Sequence, residues 1–188
     1  MSKFISDFEN NLLWTDENDN SPEIVSTPTP RIGATMFKVD ATASSSKEYK
    51  SKYDSFNMSG YSTNDTITLA FNQVDTNLSS IKIKFYSSDT SYLYATFSSL
   101  TTVGENIKSV SVGSLLTYGS PDITSITKIG IEITAKSTGA TTLYLDGLRI
   151  NDEDTFDPRF GLIARSVLSS SLEKKAGRPA DIEYRMGL

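Results

Sequence analysis

"TITLAFNQVDTNLSSIKIKFYSSDTSYLYATF", residues 66–97, alternates apolar and polar side chains through three successive runs. In the first, Ile67, Leu69 and Phe71 fall on one face, with Thr66, Thr68, Ala70 and Asn72 on the other. In the second, Ile81, Ile83 and Phe85 oppose Lys82, Lys84 and Tyr86; in the third, Leu93, Ala95 and Phe97 oppose Tyr92, Tyr94 and Thr96. Successive side chains of an extended chain point to opposite faces, so this period of two predicts strands with one buried side. A helical period fits these windows poorly, and β-branched residues crowd them.

The same pattern extends outward in both directions. "KIGIEITAK" (128–136) turns Ile129, Ile131 and Ile133 inward, "TTLYLDG" (141–147) does so with Leu143 and Leu145, and "ATMFKVDA" (34–41) with Phe37 and Val39. Clusters rich in turn formers separate the runs: "VDTNLSS", "SSDTS", "TTVGEN", "GSPDIT" and "KSTGAT". Short strands at this spacing predict an all-β antiparallel fold over residues 1–150, a β-sandwich or jelly roll. "TDENDNSPEIVSTPTP" (15–30) reads as a loop or irregular edge, and the polar "ATASSSKEYKSKYDS" (41–55) as a surface crossing. After Ile150, "NDEDTFDP" (151–158) has the composition of an acidic linker. "FGLIARSVL" and "DIEYRMGL" then return as strand-like runs around "SSSLEKKAGRPA", which predicts a C-terminal β-hairpin extension over 159–188.

Composition narrows the chemistry. The 188 residues contain no cysteine and no histidine. This removes disulfides, thiolate and imidazole metal ligands, and any serine–histidine–acid triad. The net charge of −5, with no basic run longer than Lys174-Lys175, argues against nucleic acid as a partner. "MSKFISDFENNLLW" lacks an apolar run long enough for a signal peptide or membrane span, which predicts a chain made and kept in a cytosol, with no membrane partner.

Glycoside hydrolysis needs two carboxylates, and Glu9 with Asp146, or Asp7 with Glu9, are the pairs available in principle. Nothing around them would raise one pKa, so they read as surface or metal-ligating groups and the chain as a non-enzyme. The acidic run Asp152, Glu153, Asp154 and Asp157 lacks the glycine and glutamate of an EF-hand loop. No phosphate-loop or dinucleotide spacing occurs. Trp14, directly after "NLL", reads as a core anchor. Tyr86, Tyr92 and Tyr94 share the polar face of two neighbouring strands with Lys82 and Lys84. Such a surface serves a sugar, whose C–H faces pack on rings, or a protein partner, and both readings stay open.

Two resemblances bear on function. "FISDFENNLLW" (4–14), "RIGATMFKV" (31–39) and "TTLYLDGLRI" (141–150) resemble the framework of carbohydrate-binding-module-type jelly rolls over residues 4–150. That resemblance implies one structural calcium ion held by Glu9 and Asp146, with a main-chain carbonyl near Lys38. The residues alone also allow Asp146 to cap the turn at Gly147, with Glu9 solvated.

The second resemblance covers residues 145–188. "LDGLRINDED…FGLIARSVL…KKAGRPADIEYRMGL" is similar to the C-terminal portion of structural proteins of tailed bacteriophages, where a terminal strand follows a lysine-containing turn. It implies a non-enzymatic virion protein, part of head decoration, neck or tail, synthesised in the bacterial host cytoplasm. Its partners would be other virion proteins and copies of itself, met through Arg165, Arg178, Ile182, Tyr184 and Arg185. A terminal strand can add to a neighbour's sheet, which is compatible with assembly. The alternative is a carbohydrate-binding module acting in glycan recognition or host adsorption.

Overall fold

The computed structural model describes residues 3–6, 8–30, 33–51 and 57–151, leaving out the side chains of residues 3–5. The linker beyond Asn151 and the expected hairpin, with Arg165, Arg178, Ile182, Tyr184 and Arg185, lie outside the described residues. Twelve strands are described in chain order: β1 (Lys3–Ser6), β2 (Trp14–Thr15), β3 (Glu23–Val25), β4 (Met36–Ala41), β5 (Ser46–Ser51), β6 (Thr66–Gln73), β7 (Leu78–Ser88), β8 (Ser91–Ser98), β9 (Gly104–Ser111), β10 (Leu116–Tyr118), β11 (Lys128–Ala135) and β12 (Thr141–Ile150). They form two antiparallel sheets, β3-β4-β12-β6-β9 with β1 on β12, and β10-β8-β7-β11-β5-β2. The result is the all-β jelly-roll sandwich that the alternation predicts.

The inward residues meet between the sheets. Ile67, Leu69, Leu143, Leu145 and Leu148 from the first sheet share one apolar cluster with Ile81, Ile83, Phe85, Ile129, Ile131 and Ile133 from the second. Each such side chain fully buried stabilises the fold by about 1.5–3 kcal/mol before ordering costs are counted. Where the opening segment passes from β1 in one sheet to β2 in the other, Phe8, Trp14 and Phe37 pack as a trio with ring centroids 5.1–5.9 Å apart. Trp14 is thus a core anchor, as its position after "NLL" predicts.

Local expectations need correction at β5, at two of the turn clusters and at β6. The stretch read as a surface crossing contains β5, an interior strand paired with both β11 and β2. Its alternation is hidden because its inward positions are Lys47, Tyr49 and Ser51, and Lys47 reaches past the core edge to pair with Asp16 at 3.2 Å. "TTVGEN" is a turn only in its first half, since Gly104 starts β9, and "VDTNLSS" gives way to β7 at Leu78. The central strand β6 is covered on both faces: Thr68 and Ala70 are buried along with Ile67, Leu69 and Phe71. The loop expected within 15–30 is present and is built on Asp16, whose Oδ1 accepts the backbone N–H groups of Asn18 and Asn20, both at 2.9 Å. β3 then follows it as a short edge strand on β4.

Candidate functional site

The outer face of the second sheet carries the densest constellation of functional groups. Register places it directly. Leu116 of β10 stands opposite Tyr94 of β8, and Tyr118 opposite Tyr92. Tyr92 faces Tyr86 of β7, and Tyr94 faces Lys84. Beyond them, Lys84 faces Gly130 of β11, Lys82 faces Glu132, and Glu132 faces Glu48 of β5. All these residues occupy the face opposite Ile81, Ile83 and Phe85, so the core alternation presents them outward.

Two zones result. Towards β10 lies an aromatic surface: Tyr92 and Tyr118 are stacked, 4.9 Å apart at 18°, and Tyr94 meets Tyr92 edge-on at 5.8 Å. Tyr118 and Leu116 are 56% and 57% exposed, enough to contact a ligand. Towards β5 lies a charged floor. Lys84 Nζ lies 2.7 Å from Glu132 and 3.2 Å from Glu48, and Lys82 is 3.1 Å from Glu132. The Tyr86 hydroxyl donates to Glu48 Oε1 at 2.6 Å, while the Lys50 ammonium lies 4.9 Å from the Tyr86 ring centroid.

The sequence brings Tyr86, Tyr92, Tyr94, Lys82 and Lys84 together correctly but misjudges their exposure. Tyr86 is only 3% exposed and Lys84 only 6%, so these two belong to the floor, and Tyr92 and Tyr94 are half-buried. The physical reason is that oppositely charged neighbours on β5 and β11 close over them. Glu48, Glu132, Lys50 and Tyr118 are the residues that sequence reasoning missed. Their convergence depends on long-range pairing of β5 with β11 and of β10 with β8; the only local signal was the two-residue spacing of Leu116 and Tyr118.

Ionisation on this floor is set by mutual pairing. Burial pushes the Glu132 carboxyl up, but the ammonium groups of Lys84 and Lys82 outweigh it and hold Glu132 below the usual carboxylate range. Burial also pulls Lys84 down, and Glu132 and Glu48 more than reverse this. Burial, reinforced by the Glu48 carboxylate, drives the Tyr86 phenol far above its ordinary range, so it donates as a neutral group. A general acid for glycoside cleavage needs a carboxyl pKa raised towards neutrality, and Glu132 is shifted the other way.

The calcium expectation concerns the other sheet. Glu9 Oε1 accepts the backbone N–H of Ala34 and, at 3.3 Å, that of Thr35. Its carboxylate occupies the space a side chain at Gly33 would need, where φ is +67°. Asp146 is buried on β12, at the register shift between Leu145 and Gly147. Lys38 lies on β4 between Glu23 of β3 and Tyr144 of β12. Calcium takes six to eight oxygens. Among the described residues no group of three or more acidic side chains is gathered for a metal. A calcium ion on Glu9 and Asp146 would therefore need main-chain or water oxygens to complete its shell. Nor is any helix among the described residues long and apolar enough to cross a membrane.

Comparison with known proteins places the fold. A family 30 carbohydrate-binding module of a Clostridium thermocellum cellulosomal cellulase is similar at a TM-score of 0.58 and 11% identity, covering 82% of this chain and 99% of that one. A family 11 carbohydrate-binding module from Clostridium thermocellum, solved in complex with a β-1,3-1,4-mixed-linked tetrasaccharide, gives 0.56 and 16%, covering 79% and 94%. A module specific for non-crystalline cellulose gives 0.52 and 13%, covering 76% and 91%. No protein-family model and no curated protein matches the chain. At these identities the likeness shows the fold: the β-sandwich jelly roll of carbohydrate-binding modules.

Proposed function

We propose that the chain is a non-enzymatic glycan-binding module that meets its ligand on the outer face of the second sheet. One observation carries the reading: Tyr92, Tyr94 and Tyr118 form a contiguous aromatic surface on β8 and β10, beside a floor of hydrogen-bonding groups. Rings that pack on sugar C–H faces, next to groups that bond hydroxyls, are what a saccharide requires. Structures sharing the fold include one holding a mixed-linked tetrasaccharide and one specific for non-crystalline cellulose, which supports the same class of ligand. Glu132, held ionised by its lysine partners, is unsuited to act as the general acid of glycoside cleavage.

The phage-virion reading is carried by the sequence pattern of residues 145–188 alone. No comparison adds to it, and its assembly residues lie outside the described structure. The glycan reading is tested by titrating the β-1,3-1,4-mixed-linked tetrasaccharide and a panel of β-glucans into the wild-type chain, Tyr92→Ala and Tyr118→Ala. Losing an aromatic contact of this kind costs about 1–2 kcal/mol, roughly a 5- to 30-fold drop in affinity. Equal affinity in all three proteins would remove the tyrosines from the site, and the absence of binding to the whole panel would reject the reading.

A further inference from the structure

Tyr86 cannot offer its ring to a ligand, because it is buried within the charged floor. It nevertheless touches the ring that does: its centroid lies 4.9 Å from that of Tyr92, which is stacked in turn on Tyr118. What fixes Tyr86 is Glu48. The two come from strands separated by β11, and they meet over Gly130, the position on β11 where the outer face has no side chain. A Cβ there would overlap Glu48 Oε1 and lie 2.8 Å from Tyr86 Cε2. Both carboxylate oxygens of Glu48 are engaged, Oε1 by the Tyr86 hydroxyl and Oε2 by Lys84 Nζ. An ionised carboxylate only accepts, so the phenol must donate, and such charge-assisted bonds are short and directional. The ammonium groups of Lys50 and Lys84, 4.9 Å and 6.0 Å from the ring centroid, add to the restraint on the ring.

We infer that Glu48 is a positioning residue for the aromatic surface: it holds Tyr86, and through Tyr86 it sets the orientation of Tyr92 and Tyr118 before a ligand arrives. The inference rests on the glycan-binding reading of this face. Preorganised rings lose less freedom on binding, so the contribution of Glu48 is to affinity, without contact with the sugar.

The experiment uses the full chain in four forms: wild type, Glu48→Ala, Glu48→Gln and Tyr86→Phe. Near-UV circular dichroism of the free proteins reads the mutual arrangement of the tyrosines, and titration with the mixed-linked tetrasaccharide reads affinity. Glu48→Ala and Tyr86→Phe should alter the tyrosine ellipticity and bind 5- to 20-fold more weakly. Glu48→Gln, which keeps an acceptor for the phenol, should stay within threefold of wild type in affinity, and far-UV spectra should not change. Tyr86→Phe removes one oxygen and keeps the ring, so it decides the matter even if Glu48→Ala fails to fold. Unchanged affinity in Tyr86→Phe, or unchanged ellipticity in Glu48→Ala, would overturn the positioning role. A wild-type chain that binds no tetrasaccharide would instead count against the glycan reading, and the ellipticity result would then decide the positioning of the rings by itself.

Discussion

Gly130 shows how much a single position can decide. Its neighbours Ile129 and Ile131 are core residues that the alternation of "KIGIEITAK" identifies, and a glycine within a strand packs no side chain of its own. Its meaning comes from Glu48 and Tyr86, which lie 82 and 44 positions earlier in the chain and close over it. Gly130→Ala would force both side chains to move, an overpacking cost of roughly 1–3 kcal/mol, read as a lower urea midpoint with an unchanged slope. A variant as stable as wild type would show that the crowding above Gly130 relaxes freely. Single residues were legible where one neighbour decided their fate, as for Trp14. They were not where several distant charges did: Tyr86 and Lys84 read as exposed and are buried.

Strands were legible in proportion to the apolar residues they turn inward. β6, β7, β8, β11 and β12 each carry two or more aliphatic or aromatic core residues at alternate positions, and all were read from sequence. β5 turns in one tyrosine, and β9 and β10 have no core-buried hydrophobic residue, so the pattern that reveals a strand is absent from them. It is β5 and β10, the least legible, that complete the candidate site. Together β5, β7 and β11 hold the charged floor, which makes a prediction about pH. Glu132 titrates below the ordinary carboxylate range in the folded chain. Its contribution is therefore complete above the unfolded value and is lost as pH falls through the lower, folded one. Lys84 is raised above 10.5, so its contribution is complete below that value and lost as pH rises through the folded one. With no histidine in the chain, the urea midpoint should stay flat from about pH 6 to pH 9 and fall below about pH 4. A midpoint that already drops between pH 8 and pH 6 would mean that this floor does not govern the pH response.

At the scale of the whole molecule, two sheets divide the work. Their inner faces share a core built from Ile, Leu, Val and Phe, and one outer face concentrates tyrosine, lysine and glutamate where register brings six strands side by side. The all-β sandwich was legible because binary patterning largely decides fold class. The complete site was not, because its parts come from β5, β7, β8, β10 and β11, and only the pairing of strands unites them. The most direct test is residue-resolved nuclear magnetic resonance of the labelled chain, titrated with the β-1,3-1,4-mixed-linked tetrasaccharide. Saturable shifts centred on Tyr92, Tyr94, Leu116 and Tyr118, with the first sheet unperturbed, are the predicted result. Shifts centred on the first sheet, or none at millimolar sugar, would contradict the assignment of this face.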